Sequence, residues 1–454
     1  MKDELQILPL THPSSFILHP SKVPGILILA IFAVFAALMF TRKVPALLAL
    51  PSMAIATAAL VGLPFISILN DVVAAGSTKL AAVYVAVFAG AMMGRVMLQT
   101  GIAEAIIKRA AEFGGDRPMV VAFGLMFVTA VLFTTLQGLG AIITVGSLVL
   151  PILMSLGLPR RLAATLFLLA FGTGFIFNPI LFTLYRQLLK VEANAPLPAE
   201  VPGFAFALLG VMVVTVVVYS IIAAKRSGEV LFLTAETKEE FIEKNLKRDV
   251  PLISLLTPII PLVLFFGFNY FGIKIDFIPA FIIGALFGVL TTQPRLAIKN
   301  LSAAVVRGVE DGAPAAILMM GIGMLLNALS LPAVKAALEP MIRALPLQTA
   351  VSYVLFFGLL SPLALYRGPL NVFGVGIGIF SIMFGADILP ALALLAAIMS
   401  IVQVQNVCDP TNTHNVWIAN FTGVRVEELT KQTLAPMMIV CIGGLILAAF
   451  WFFR

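Results

Sequence analysis

The sequence predicts an all-α polytopic membrane protein of two inverted repeats, with about ten spanning helices and two re-entrant hairpins. Composition, the length of the apolar runs and breaks recurring at a fixed interval lead there. Apolar residues make up 61% of the 454 and charged residues 11%, against roughly 45–50% and about 25% in soluble chains. So few polar side chains cannot cover a water-soluble globule of this length. Gly25–Phe40, Leu80–Met93 and Met437–Phe453 hold no charge, and about 20 helical residues cross a bilayer core.

Apolar windows place helices at about 23–41, 44–63, 79–97, 204–224, 251–271, 277–292, 312–330 and 433–453. Two further regions, 118–190 and 346–416, exceed one span and are interrupted by Gly, Pro and polar residues. Each is read as a re-entrant hairpin followed by one spanning helix. With both termini outside a cytoplasmic membrane, Lys and Arg then fall roughly two to one on the inner side. Arg160 and Lys247 are expected inside, Arg186 and Arg343 outside. Reading each hairpin as two full spans leaves every later loop on the same side, so the charges fit both models.

The two halves follow one plan. Helices 23–41, 44–63 and 79–97 match 251–271, 277–292 and 312–330, and each set is followed by an amphipathic segment, Gly101–Phe113 or Pro332–Leu345. An apolar stretch broken near its middle comes next, at Gln137–Gly140 or at Arg367–Pro369. A helix with a polar interruption closes each half, at Thr173–Pro179 or at Asn406–His414. Gly138 and Gly368 lie 230 residues apart, and Pro179 and Pro410 lie 231 apart. An odd number of crossings per half inverts the second copy, and inverted repeats with broken helices are the architecture of secondary transporters. Between the halves, Lys225–Asp249 is polar, with a capping box at Thr237 and Glu240.

Other functions find little support. No GxxxxGK[ST] phosphate loop occurs, three scattered histidines suit no zinc site, and Cys408 and Cys441 lie in apolar stretches. The net charge of +7 comes from short loops between apolar runs, which sets orientation in a membrane and does not bind nucleic acid. No nucleophile–base pair suggests an enzyme. The first apolar run is not read as a cleavable signal, because Arg42 and Lys43 follow it.

A hairpin that ends at mid-membrane leaves orphan backbone groups: helix N-termini attract anions and free carbonyls attract cations. Gly138, Gly140, Gly368 and Pro369 let the chain turn there, whereas Gly374, Gly376 and Gly378 read as packing. Thr134, Thr135, Gln137, Asn178 and Asn371 are polar at the same depth and either order a substrate or satisfy the broken backbone. Arg367 and Asp409 are read as the two formal charges at membrane depth, where each costs about 2.5–3.5 kcal/mol. The guanidinium of Arg367 suits a carboxylate bidentately. Asp409 is a candidate proton carrier, or a Na+ ligand with Thr411 and Asn412, two residues also counted as candidate substrate-binding groups. Thr173, Thr413 and His414 complete the candidate cation-coupling set. A structural ion pair between Arg367 and Asp409 is the competing reading.

The repeated order of span, amphipathic arm, hairpin and broken helix resembles the ion transporter superfamily, which includes divalent-anion/sodium symporters, citrate and gluconate permeases and the large subunit of TRAP transporters. Gly138–Pro151 with Gly157-Leu158-Pro159 resembles their first hairpin, and Gly423-Val424 with Thr433–Pro436 the entry to their last helix. The Ser-Asn-Thr of sodium-coupled dicarboxylate members is present at neither tip. The resemblance implies an elevator-type transporter, commonly a homodimer, that carries a small organic anion with H+ or Na+. It divides the chain into 1–117 (scaffold), 118–224 (transport), 225–250 (linker), 251–345 (scaffold) and 346–454 (transport). Cofactors are expected to be none beyond Na+ as a coupling ion. A cation/proton antiporter and the membrane subunit of a TRAP-like system are the alternatives.

Overall fold

The computed structural model describes residues 25–41, 43–113, 117–191, 197–226, 249–268, 271, 273 and 275–453. The capping box at Thr237 and Glu240, and Lys247, lie outside the described residues.

The described residues form eighteen helices and no strand, nine helices in each half. The first half runs α1 (Gly25–Phe40), α2 (Ala46–Leu60), α3 (Phe65–Gln99), α4 (Ile102–Phe113), α5 (Pro118–Phe133), α6 (Gly138–Ser155), α7 (Arg160–Phe175), α8 (Pro179–Leu188) and α9 (Glu200–Arg226). The second half runs α10 (Leu252–Gly267), α11 (Phe277–Thr292), α12 (Pro294–Ser330), α13 (Pro332–Arg343), α14 (Ala350–Arg367), α15 (Gly376–Ala386), α16 (Ala391–Cys408), α17 (Thr413–Thr422) and α18 (Val426–Phe452). Partners recur in order with similar lengths: α3 and α12 have 35 and 37 residues, α4 and α13 have 12 each, α8 and α17 have 10 each, α9 and α18 have 27 each. Among the described residues seven helices are long and apolar enough to cross a membrane, or eight if the bent pair α7–α8 is one span. This is a multi-pass membrane protein.

Burial sorts the helices. Of the 18-residue windows that qualify as spans, the one in Ala391–Thr422 is 89% buried, whereas those in α9 and α14 are 28% buried. A helix apolar all round belongs in a core, so α16 is the central rod, while α9 and α14 turn most of their surface to lipid. Elsewhere a stripe of small residues does the packing. Ala304, Gly308, Gly312 and Ala316 of α12 are all buried at a spacing of four, which lets α3 approach closely.

Three elements differ from the sequence reading. The helix expected at 79–97 begins at Phe65 and includes a π turn over Ile68–Ala74; the helix expected at 312–330 begins at Pro294. Its charged residues, Arg295 to Asp311, had placed this stretch in a loop, yet Ala304 and Gly308 already bury one face of it. Helix α10 is irregular, with 3-10 geometry over Leu252–Ile259 and a π turn over Val263–Gly267. Pro258 and Pro261 lack the N–H that a regular ladder needs there.

Candidate functional site

Both hairpins end in the interior. Helix α5 stops at Phe133 because the hydroxyls of Thr134 and Thr135 turn back onto the carbonyls of Val131 and Leu132, at 2.6 and 3.4 Å. Gln137 is extended, and Gly138 opens α6 with φ of +82°, a conformation that glycine adopts without strain. In the second hairpin Tyr366 and Arg367 take left-handed φ of 55° and 58°, a strained conformation for side chains of that size. Arg367 is held there by its carbonyl, which accepts the N–H of Val375 at 3.1 Å.

The two broken helices are built from side chains that replace the missing ladder bonds. In the first, α7 and α8 bend by 49°. Asn178 caps α8 by accepting the N–H of Ile180 at 3.1 Å and donates to the Phe133 carbonyl at 3.5 Å. In the second, every carbonyl from Gln405 to Asp409 accepts a side-chain donor. Asn412 serves Gln405 and Asn406, His414 Nε2 donates to Asn406 at 2.8 Å, Asn415 serves Val407 and Asp409, and Thr430 serves Cys408. The Asp409 carboxylate is fully buried and accepts four bonds. They come from the N–H and hydroxyl of Thr411, the N–H of Arg367 at 3.3 Å and the amide of Asn371 at 3.1 Å. Each break is thereby tied to its own hairpin, by Asn178 in one half and Asp409 in the other.

These four structures enclose one cavity of about 560 Å³. Gln137 and Gly138 of the first tip, Arg367 and Phe373 of the second, Phe171, Phe175 and Ile180 around the first break, and Asn406 with Pro410–His414 around the second all line it. Residues Val44 to Leu47, near the start of α2, and Asp311, Pro314, Ala315, Leu318 and Met319 of α12 add to the wall. Of the sequence-based candidates, Gln137, Gly138, Arg367, Thr411, Asn412, Thr413 and His414 therefore meet in one place. Arg367 takes part in none of the ion pairs among the described residues; one guanidinium nitrogen donates to the Phe373 carbonyl at 3.4 Å. Gln137 and Asn406 are 4% and 5% exposed, yet neither atom of the Gln137 amide nor the Asn406 nitrogen has a partner. Buried polar groups are almost always satisfied, so these two amides leave hydrogen-bonding capacity unused among the residues that line the cavity.

The remaining candidates lie elsewhere. Thr135, Asn178, Asn371 and Asp409 are buried behind the wall, where they hold backbone. Gly140 and Gly368 support the tips without lining the cavity. Thr173 bonds to the Leu169 carbonyl and faces a separate apolar groove of about 360 Å³ between α5, α7 and α9.

Sequence reasoning missed Asp311. It lies well inside α12, lines the cavity and pairs with Arg95 of α3 through two bonds, Nε to Oδ2 and Nη2 to Oδ1 at 2.6 Å. The reading that every carboxylate except Asp409 falls in a loop or at a helix end is thus corrected, because a hydropathy window ends a span at its first charges. The signal was present in the spacing of Ala304, Gly308, Gly312 and Ala316, which carries the helix past Asp311 toward its N-terminus.

No protein-family model matches the chain, and neither does any curated protein. Among solved structures the chain is similar to the YdaH transporter of Alcanivorax borkumensis, whose crystal structure is described as having an unusual topology. The TM-score is 0.56 at 14% identity, over 94% of this chain and 98% of that one. The fold described above is thus one also found in a membrane transporter.

Proposed function

We propose that this chain is a secondary active transporter that moves a small organic anion, a carboxylate, across the cytoplasmic membrane together with H+ or Na+. The observation that carries the reading is the single cavity walled by both hairpin tips and both helix breaks, with the Arg367 guanidinium on its surface and outside every described ion pair. Broken helices and hairpin tips meeting around one cavity, with the Gln137 and Asn406 amides unpartnered there, support an alternating-access site. In this reading the two halves are inverted repeats, and the hairpins move with their broken helices as an elevator against α2, α3, α11 and α12. The likeness to YdaH supports transport through the fold, and the superfamily resemblance supports the elevator motion. A cation substrate is disfavoured by an unpaired guanidinium in the wall.

The test is uptake of labelled acetate, benzoate, succinate and citrate into proteoliposomes with imposed pH or Na+ gradients. Gradient-driven accumulation of at least one is expected. Uptake of none of them under either gradient defeats the reading.

A further inference from the structure

The tip of the first hairpin rests on the ion pair between α3 and α12. A Cβ on Gly140 would stand 2.5 Å from Asp311 Oδ1 and 2.9 Å from Arg95 Nη2, and one on Gly138 would stand 3.3 Å from Asp311 Cβ. The first turn of α6 therefore packs directly on the Arg95–Asp311 pair, against carboxylate and guanidinium alike. The N–H groups of that turn have no helical partner, and Gln137 does not cap them. The Arg95 fork suits a carboxylate bidentately, and the Gln137 amide at the same hairpin tip, packed against Gly90 of α3, has no hydrogen-bond partner. The Asp311 side chain is 12% exposed and lines the cavity, whereas Asp409 is sealed behind the wall with its carboxylate engaged four times.

We propose that the Arg95 guanidinium, at the tip of the first hairpin, is a carboxylate seat that Asp311 fills in this state, and that a proton taken up by Asp311 vacates it for the transported anion. Proton and anion then bind together. With Asp311 ionised, the seat would have to hold two carboxylates, which repel; with Asp311 neutral, the Arg95 fork exchanges one carboxylate for another and the local charge is unchanged. The ionisable groups around Asp311 are Arg95 from α3, Arg307 and Glu310 on its own helix, and Arg367 and His414 across the cavity. Helices α2, α6, α11 and α15 bring none; Asp71 and Lys79 of α3, which meet Asn327, and Lys335, Glu339 and Arg343 of α13 belong to the far end of α12. This inference rests on the anion-transport reading and assigns the coupling ion within it.

Two measurements test it, using whichever of acetate, benzoate, succinate or citrate the wild type accumulates. The first needs no variant: calorimetric titration in two buffers of different ionisation enthalpy should find about one proton taken up per anion bound. Over the pH range in which that proton is taken up on binding, the apparent Kd should rise about tenfold per pH unit, because only the protonated form accepts the anion. The second uses Asp311→Asn, which imitates the protonated carboxyl. Its affinity should be flat across the same range, proton-driven accumulation should be lost, and exchange of labelled for unlabelled anion should persist. Zero proton uptake by the wild type overturns the proposal, as does undiminished proton-driven accumulation in Asp311→Asn. Either result leaves anion transport standing; a wild type that accumulates none of the four probes defeats both.

Discussion

Asp409 holds Arg367 by its backbone N–H, at 3.3 Å, and leaves its guanidinium free to line the cavity. The two charges expected at membrane depth are neighbours, but the contact is a hydrogen bond that fixes the left-handed turn at Arg367 and is not an ion pair. A buried carboxylate is tolerable when donors surround it, and Asp409 meets two backbone N–H groups, one amide and one hydroxyl.

Loss of that acceptor should therefore be felt as stability. Asp409→Ala strands the N–H groups of Arg367 and Thr411 in a fully buried place, at about 1–3 kcal/mol for each unsatisfied group. Asp409→Asn keeps one acceptor oxygen and should melt between Asp409→Ala and the wild type in detergent. With Asp311 intact, Asp409→Asn should still accumulate anion. Wild-type melting of Asp409→Ala would remove the anchoring role, and failure of concentrative uptake in well-folded Asp409→Asn would return the coupling to Asp409.

Gly140 should not tolerate a side chain. Alanine is normally the better helix former by about 1 kcal/mol, yet here its methyl would collide with both members of the Arg95–Asp311 pair. Overpacking of this kind costs about 1–3 kcal/mol, so Gly140→Ala should lower the melting temperature. Gly385, with nothing within 4 Å of a built Cβ, is the control, and Gly385→Ala should melt at or above the wild type. Equal behaviour of the two variants would mean that the tip is not seated on the pair.

The parts of this architecture that were legible in the sequence are those where backbone chemistry leaves a composition signature. Gly138, Asn178-Pro179 and Asp409–Asn415 mark the turn and the breaks, because only small, polar or ring-closed residues serve an interrupted helix. Side-chain direction is less visible. Thr173 stands in the first break region but faces the groove between α5, α7 and α9, since one position along a helix turns a side chain by about 100°. Asp311 was hidden for a different reason. Its charge is compensated by Arg95, 216 residues away, and a local window has no means of seeing a distant partner.

Sidedness follows from the charge bias and should be readable by thiol labelling. Cys408 and Cys441 are both buried, so replacing them should leave a background that an impermeant maleimide does not label. Arg343 and Arg160 are both exposed. Arg343→Cys should react in sealed cells, and Arg160→Cys only after permeabilisation. The reverse pattern would invert the orientation while leaving the fold untouched.

Arg367 decides what the cavity is for. Among the described residues no carboxylate is orphaned when its guanidinium is removed, and the side-chain bond that goes is a 3.4 Å contact to the Phe373 carbonyl. Arg367→Ala should therefore fold and reach the membrane. Arg367→Lys keeps the charge but loses the planar fork, which matters only if something bidentate is held there. If the occupant is a carboxylate, Arg367→Lys should bind it less tightly by about 1.5–3 kcal/mol, the scale of a hydrogen bond to a charged group, or roughly tenfold or more in Kd. Equilibrium binding of the accumulated carboxylate to both variants checks this. An unchanged Kd in a well-folded Arg367→Ala protein would take Arg367 out of the substrate site and leave Arg95 to hold the anion.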